Sequence, residues 1–286
     1  MNLVKHRSKY FILSAIIIAI GFITMGVRGL NYGIDFTGGT IIQINLEQNK
    51  PIEELRTVMN EFDKDSEIVF TGTEKKEIII KSTLNLSREE SAKVFQAYKT
   101  KYNLKADKPE QINAIGATIG QEIQRKALLS VLIASLGILI YVSIRFELKF
   151  GIAAVLGLVH DVLVMLAIYS ILKLPIDSTF IAAILTVIGY SINDTIVIFD
   201  RIRENMKITK TKEIDLLINT SVKQTLRRTL STSFTTLVMI GLLYALGTEA
   251  IRGFALPLML GVIVGTYSSI FISSPIWYIL KTRDVK

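Results

Sequence analysis

The stretch STFIAAILTVIGYSINDTIVIF, residues 178–199, decides how this chain is read. About 20 mainly apolar residues cross the hydrocarbon of a bilayer as a helix, and this run is that long. Its one charge is Asp194, set among Tyr190, Ser191, Asn193 and Thr195. An Asp at the centre of a membrane helix costs about 2.5–3.5 kcal/mol, so such groups face a bundle interior or a watery path. Asp194 is therefore a candidate functional acid that needs a partner.

Five further runs have the same character: residues 10–27, 127–144, 151–172, 229–248 and 254–280. Half of the 286 residues are hydrophobic and the mean hydropathy is +0.44, too apolar for a soluble domain with one core. The expectation is a mainly α membrane protein with six transmembrane helices. Lys5, Arg7 and Lys9 precede the first run in the manner of a signal peptide, but Arg28-Gly29-Leu30-Asn31 follows instead of a small-residue cleavage site, so the helix reads as retained. The basic N-terminal tail, Arg145 with Lys149, the 200–228 loop, and Lys281, Arg283 and Lys286 alternate with loops poor in Lys and Arg. Both termini are expected to be cytoplasmic. The formal charge of +8 fits this asymmetry and contact with the anionic headgroups of a lipid bilayer, not a nucleic-acid partner.

The expected organisation is a cytoplasmic tail and first span over residues 1–30, one small external α+β domain over 31–126, and spans two to six over 127–286. With no cysteine in the chain, the external domain relies on its own core or on a partner. Alternation marks strands at 40–46, 68–71 and 77–81, the last two around Gly72-Thr73, and helices are expected at 51–62 and 87–102, giving the order β-α-β-β-α. Ser87 and Glu90 have capping-box spacing. Ile112, Ile115, Ile119 and Ile123 fall three and four residues apart, which predicts an amphipathic helix at the membrane surface before the second span. The turn Gly33-Ile34-Asp35-Phe36-Thr37-Gly38-Gly39-Thr40 lacks the Gly-Lys-Ser/Thr ending of a phosphate loop and reads as a tight turn with Asp35 bonded to local amides. No metal or cofactor motif is present.

Within the fourth span, Tyr190 and Ser191 share the face of Asp194, about 9 Å from Asp200 along the axis. The third span carries the pair His160-Asp161. At the start of the fifth, Arg228, Thr232 and Thr235 share a face from which a guanidinium could meet a carboxylate. Gly261 and Gly265 in the sixth span have GxxxG spacing, followed by Thr266, Ser268 and Ser269, a surface for close helix packing. Asp200 to Asn205 and an amphipathic helix over 213–223 are expected along the inner membrane face.

At these residues the chain resembles a known family. The 33–40 turn, Val159-His160-Asp161, residues 189–195 running into Phe199-Asp200-Arg201-Ile202-Arg203-Glu204-Asn205, and Gln224-Thr225-Leu226-Arg227-Arg228-Thr229-Leu230 resemble, in order and over nearly the whole chain, the SecF side of the SecD/SecF family, within the RND superfamily. The resemblance implies a bacterial cytoplasmic-membrane protein, not an enzyme, that pairs with SecD around a pseudo-two-fold axis beside the SecYEG translocon. YajC and YidC are further candidate partners, and exported preproteins are the cargo, driven by the proton-motive force. Asp194 matches the family's intramembrane proton-relay acid and Arg228 its intramembrane arginine, with Ser191, Asn193, Thr232, His160 and Asp161 on the same pathway. One departure is Gly116-Ala117-Thr118-Ile119-Gly120, which lacks the proline usual before the second span. Two alternatives remain in view: an assembly subunit without ion coupling, and an intramembrane aspartyl protease using Asp161 and Asp194. The protease reading is disfavoured because the two acids sit at different depths and no Gly-x-Gly-Asp context is present.

Overall fold

The computed structural model describes residues 2–71, 74–208 and 213–282. From the N-terminus, α1 (Arg7–Arg28) leads through α2 (Ile34–Thr37) into β1 (Gly39–Asn45), α3 (Ile52–Met59), β2 (Glu67–Thr71), β3 (Glu77–Ser82), α4 (Arg88–Tyr102) and β4 (Gln111–Ile115). The helical part follows with α5 (Ala117–Arg145), α6 (Leu148–Leu172), α7 (Ser178–Ile208), α8 (Ile214–Leu246) and α9 (Glu249–Ser268). A π-helical turn at Ser269–Ser273 carries α9 into α10 (Ser274–Thr282). Among the described residues, six helical segments are long and apolar enough to cross a membrane: α1, α5, α6, α7, α8, and the stretch from Ile251 to Thr282. The expectation of six spans with one small sheet domain between the first and second is borne out.

The sheet has the order β2-β3-β1-β4 and every neighbouring pair is antiparallel. With α3 and α4 as crossovers this is the split βαβ arrangement. Alternate residues of the strands, Ile42, Ile44, Ile68, Phe70, Ile78 and Ile80, meet Leu55, Met59, Val94, Phe95 and Tyr98 of the two helices in one buried core. The Tyr98 hydroxyl enters that core because it can donate to the Leu55 carbonyl at 2.8 Å. The Ser87–Glu90 capping box forms as expected, and the Ser87 amide holds the Glu90 carboxyl below its usual range. The Gly72-Thr73 connection, the 209–212 connection, and Arg283 and Lys286 lie outside the described residues.

Three expectations change here. The surface helix before the second span does not exist: Ile112 and Ile115 lie on β4, paired with β1, while Ile119 and Ile123 belong to α5, which continues unbroken into the membrane. A period of three and four therefore arose across a strand and a helix that happen to abut. Residues 213–223 do not form a separate helix either; they are the first turns of α8, a helix of 33 residues and so about 50 Å long. Leu217, Ile218 and Val222 anchor that extension by packing on Leu3, Val4, Phe199, Ile202 and Trp277, and the Leu3 amide donates to Asn219 Oδ1 at 2.8 Å. Asp200 to Asn205 are likewise the continuing turns of α7, tied to α8 by Arg201–Gln224 and Asn205–Gln224 hydrogen bonds of 2.7 and 2.8 Å.

The third change concerns the glycine turn. Asp35 does not bond its local amides; its carboxylate accepts from the Ser178 amide at 2.9 Å, at the first turn of α7. Asp177 accepts from the Phe180 amide at the same helix end, so two carboxylates meet the positive end of α7. Burial pushes the Asp177 carboxyl above its ordinary range, against the hydrogen bond from Phe180 and the charge of Lys81, while Asp35 and Glu67 add to the rise. Gly33 bonds through its amide to the Ile176 carbonyl at 2.8 Å. Gly38, at φ +80°, lies so close to α5 that a Cβ there would sit 2.9 Å from the Ala117 nitrogen, and Gly39 is pressed against Ser82. The turn is a joint between the sheet, α5 and α7.

Candidate functional site: two buried carboxylates in the helical bundle

The helices divide into an inner and an outer set. The hydropathic cores of α6, α7 and the Ile251–Thr282 span are 56%, 44% and 67% buried, against 11%, 6% and 11% for α1, α5 and α8. Glycines let α9 approach α7: a Cβ on Gly261 would collide with Val187, and one on Gly265 would stand 2.9 Å from the Ser191 Cβ. Between these helices lie both intramembrane acids.

Asp161 is 1% exposed and tightly held. Ser191 donates to Oδ2 at 2.6 Å, and His160 Nδ1 meets Oδ1 at 3.1 Å. The buried Ser268 stands beside the same carboxylate. The other ring nitrogen of His160 contacts the Ser14 hydroxyl of α1 at 2.8 Å. Since Asp161 is level with Ser191, it lies three residues, or about 4.5 Å, above Asp194 along α7.

Asp194 is 2% exposed and loosely held. Its Oδ2 receives two long hydrogen bonds, from Ser233 at 3.4 Å and Thr266 at 3.5 Å. These hydroxyls are 2.7 Å from each other, and each has a helical carbonyl within 2.9 Å, so they are satisfied with or without the carboxylate. Below, Ser269 links Thr195 at 2.8 Å to the Ser191 carbonyl at 3.2 Å. The π turn follows immediately; Ser268, Ser269, Ser273 and Ser274 are all buried, a widening of the kind that often marks functional helices. The two acids share no hydrogen-bond partner among the described residues, so the shared proton of an aspartyl dyad has no bridge.

Several expected contacts differ. Ser191 serves Asp161, not Asp194. Thr232 is exposed and bonds the Arg228 and Thr229 carbonyls of its own helix. Arg228 is exposed, and among the described residues no ion pair joins it to Asp194. Asn193 also faces outward. The inward face of α8 is instead Val222, Thr225, Thr229 and Ser233, a stripe at steps of three and four that was available in the sequence but was overshadowed by the arginine one position away. Ser14 carried no such signal, because its role depends on α1 lying beside α6.

Fold and site together define a multi-pass membrane protein of the transport class, with a sheet domain joined to a bundle that hides two acids. The chain matches "Protein export membrane protein SecD/SecF, C-terminal" over residues 94–283 and "SecD/SecF GG Motif" over residues 23–50. It is 45% identical to the protein translocase subunit SecF of Desulfurispirillum indicum over 99% of this chain and 92% of that one. It is 38% identical to SecDF of Bacillus subtilis over 99% of this chain but 38% of that longer protein. The crystal structure of SecDF from Thermus thermophilus superposes with a TM-score of 0.84 at 37% identity, covering 99% of this chain and 39% of that one. The chain belongs to the SecD/SecF family, among its SecF-type protein translocase subunits.

Proposed function

We propose that this chain is one half of a proton-driven export machine: paired with SecD and set beside SecYEG, with YajC and YidC as accessory partners, it promotes late stages of preprotein translocation. The carrying observation is the state of Asp194, a carboxylate buried at mid-bundle whose two hydrogen bonds are long and replaceable. Such a group can gain or lose a proton without stranding a neighbouring donor. Fused SecDF relatives, of which this chain corresponds to about two fifths, support a SecD partner half. The outward Arg228, Thr232 and Asn193 support it too, because a guanidinium left on a lipid face would be costly. With SecD in place these residues line the path from Asp194, while Ser191, Asp161 and His160 form the layer above. The basic residues Arg145, Lys149, Arg201, Arg203 and Lys281 at one end of the bundle support cytoplasmic termini.

In the mechanism, charged Asp194 is drawn towards Arg228 and protonated Asp194 rests on Ser233 and Thr266. Each state favours a different packing of α7 against α8 and α9. The Gly33–Thr40 joint then passes movement of α7 to the sheet domain. One charge crossing the membrane is worth about 2.3 kcal/mol per 100 mV, enough to bias a bistable bundle by tens of fold, so extraction of a folded segment needs several protons or a ratchet. The test is potential-driven export in vesicles with a matching SecD. Asp194→Asn should abolish the part of export that depends on the potential; retention of that part would sink the proposal and favour an assembly subunit without ion coupling.

A further inference from the structure

The first span is fastened to the bundle through one titratable pair. α1 and α6 run side by side with a constant register: Ser14 faces His160, Gly21 is pressed onto Ala167, and Thr24 Oγ1 lies 3.0 Å from Ser170 Oγ. Of these contacts only the first reaches an ionisable side chain. His160 is 8% exposed and Ser14 5%, so both are enclosed by helices of this chain. From Ser14 the contacts continue to the Tyr267 hydroxyl at 3.4 Å, and from there to the Tyr10 carbonyl at 3.0 Å.

This row of groups has two complete hydrogen-bonding patterns. With neutral His160, Nδ1–H donates to Asp161 and Nε2 accepts from the Ser14 hydroxyl. When the ring carries a second proton, Nε2–H donates to Ser14, whose hydroxyl must turn towards Tyr267, the longer and weaker contact. Every donor is still paired, but the bond between α1 and α6 reverses. The groups facing the pair are Ser14 of α1, Ser191 of α7 with Asp194 one turn below, and Tyr267 and Ser268 of α9. Among the described residues the only ion-pair partner of Asp161 is His160.

We propose that His160–Asp161 is a second proton-holding node, distinct from Asp194, that sets how firmly α1 is latched to α6 and α7. Since α1 leads directly into the Gly33–Thr40 joint, the latch carries the protonation state of the bundle to the sheet domain. It rests on the proton-driven reading for its purpose, but not for its measurement. His160 and Ser14 are positioning residues here, acting through α1.

The native chain has no cysteine, so cysteines introduced at Val27 and Leu172, 79% and 59% exposed at the neighbouring ends of α1 and α6, are the only labels in this subunit. With a cysteine-free SecD in nanodiscs, electron–electron distances between spin labels there should fall into two populations. Their ratio should change with pH by up to about tenfold per unit, the limit for one linked proton. His160→Gln should hold one ratio at all pH values, and His160→Asn carries the same expectation should that variant fail to assemble. Ser14→Ala should broaden the distribution at every pH. Asp194→Asn should leave the pH response intact while export fails, which separates the latch from the main switch. A distribution indifferent to pH, or one whose pH response survives His160→Gln, overturns the proposal.

Discussion

Asp161 and Asp194 occupy the same bundle, one turn apart in depth, and are held in opposite ways. Asp161 has a 2.6 Å bond from Ser191 and a histidine at 3.1 Å; Asp194 has two contacts at 3.4 and 3.5 Å from hydroxyls already served by their own helices. Burial is the same, 1% and 2%, so burial does not distinguish a clasp from a switch. What does is whether the neighbours depend on the carboxylate. The Ser191 hydroxyl and Nδ1 of His160 are left unpaired when Asp161 is removed, whereas Ser233 and Thr266 are not left unpaired when Asp194 is removed.

That contrast can be broken experimentally. The largest effect is expected for Asp161→Ala, which strands two buried donors and should cost about 3–5 kcal/mol of unfolding free energy in mixed micelles. Asp194→Asn should stay within about 1 kcal/mol of the wild type in the same titration, although export is lost; a cost equal to that of Asp161→Ala would erase the distinction. The hydroxyl partners sharpen it further. Ser191→Ala should lose about 1–3 kcal/mol, and Ser233→Ala less than about 1 kcal/mol, again read by chemical denaturation.

The smallest effect lies at the outer end of α7. Asp177 has its carboxyl pushed up, mainly by burial, so folding favours its protonated form; the stability this contributes is present at acid pH and is lost as pH rises through the folded value. Asp177→Asn keeps an acceptor for the Phe180 amide and removes the charge. It should raise the thermal midpoint by a few degrees in neutral buffer, with the gain fading as pH falls through the raised folded value and gone below the ordinary carboxyl range. An equal gain at all pH values would show that the carboxylate is not penalised by its site.

Legibility in the sequence followed the range of the interactions. The six spans, the Ser87 cap and three of the four strands were readable because hydropathy, capping and alternation act within one element. The fourth strand was not, since Gln111 to Ile115 is an exposed edge whose identity comes from pairing with β1. The Asp194 site was half legible. The acid itself stood out by its cost in lipid, and Thr266 and Ser268 were visible as hydroxyls on a small-residue helix. The choice between the Arg228–Thr232 face and the Thr229–Ser233 face of α8 was not, because neighbouring positions on a helix differ by about 100° and only the packing of α8 on α7 and α9 selects one.

By itself, then, the sequence determined that the chain crosses a membrane six times, carries a sheet domain after the first crossing, and hides acids that demand an explanation. Those conclusions rest on the free energy of placing residue types in lipid or in a local fold. Only the tertiary structure decided that Asp35 caps α7 across the chain, that Ser191 belongs to Asp161, and that Ser14 ties α1 to His160. Such contacts join residues up to 146 positions apart, and their short-range directional bonds leave no trace in the periodicity of either segment.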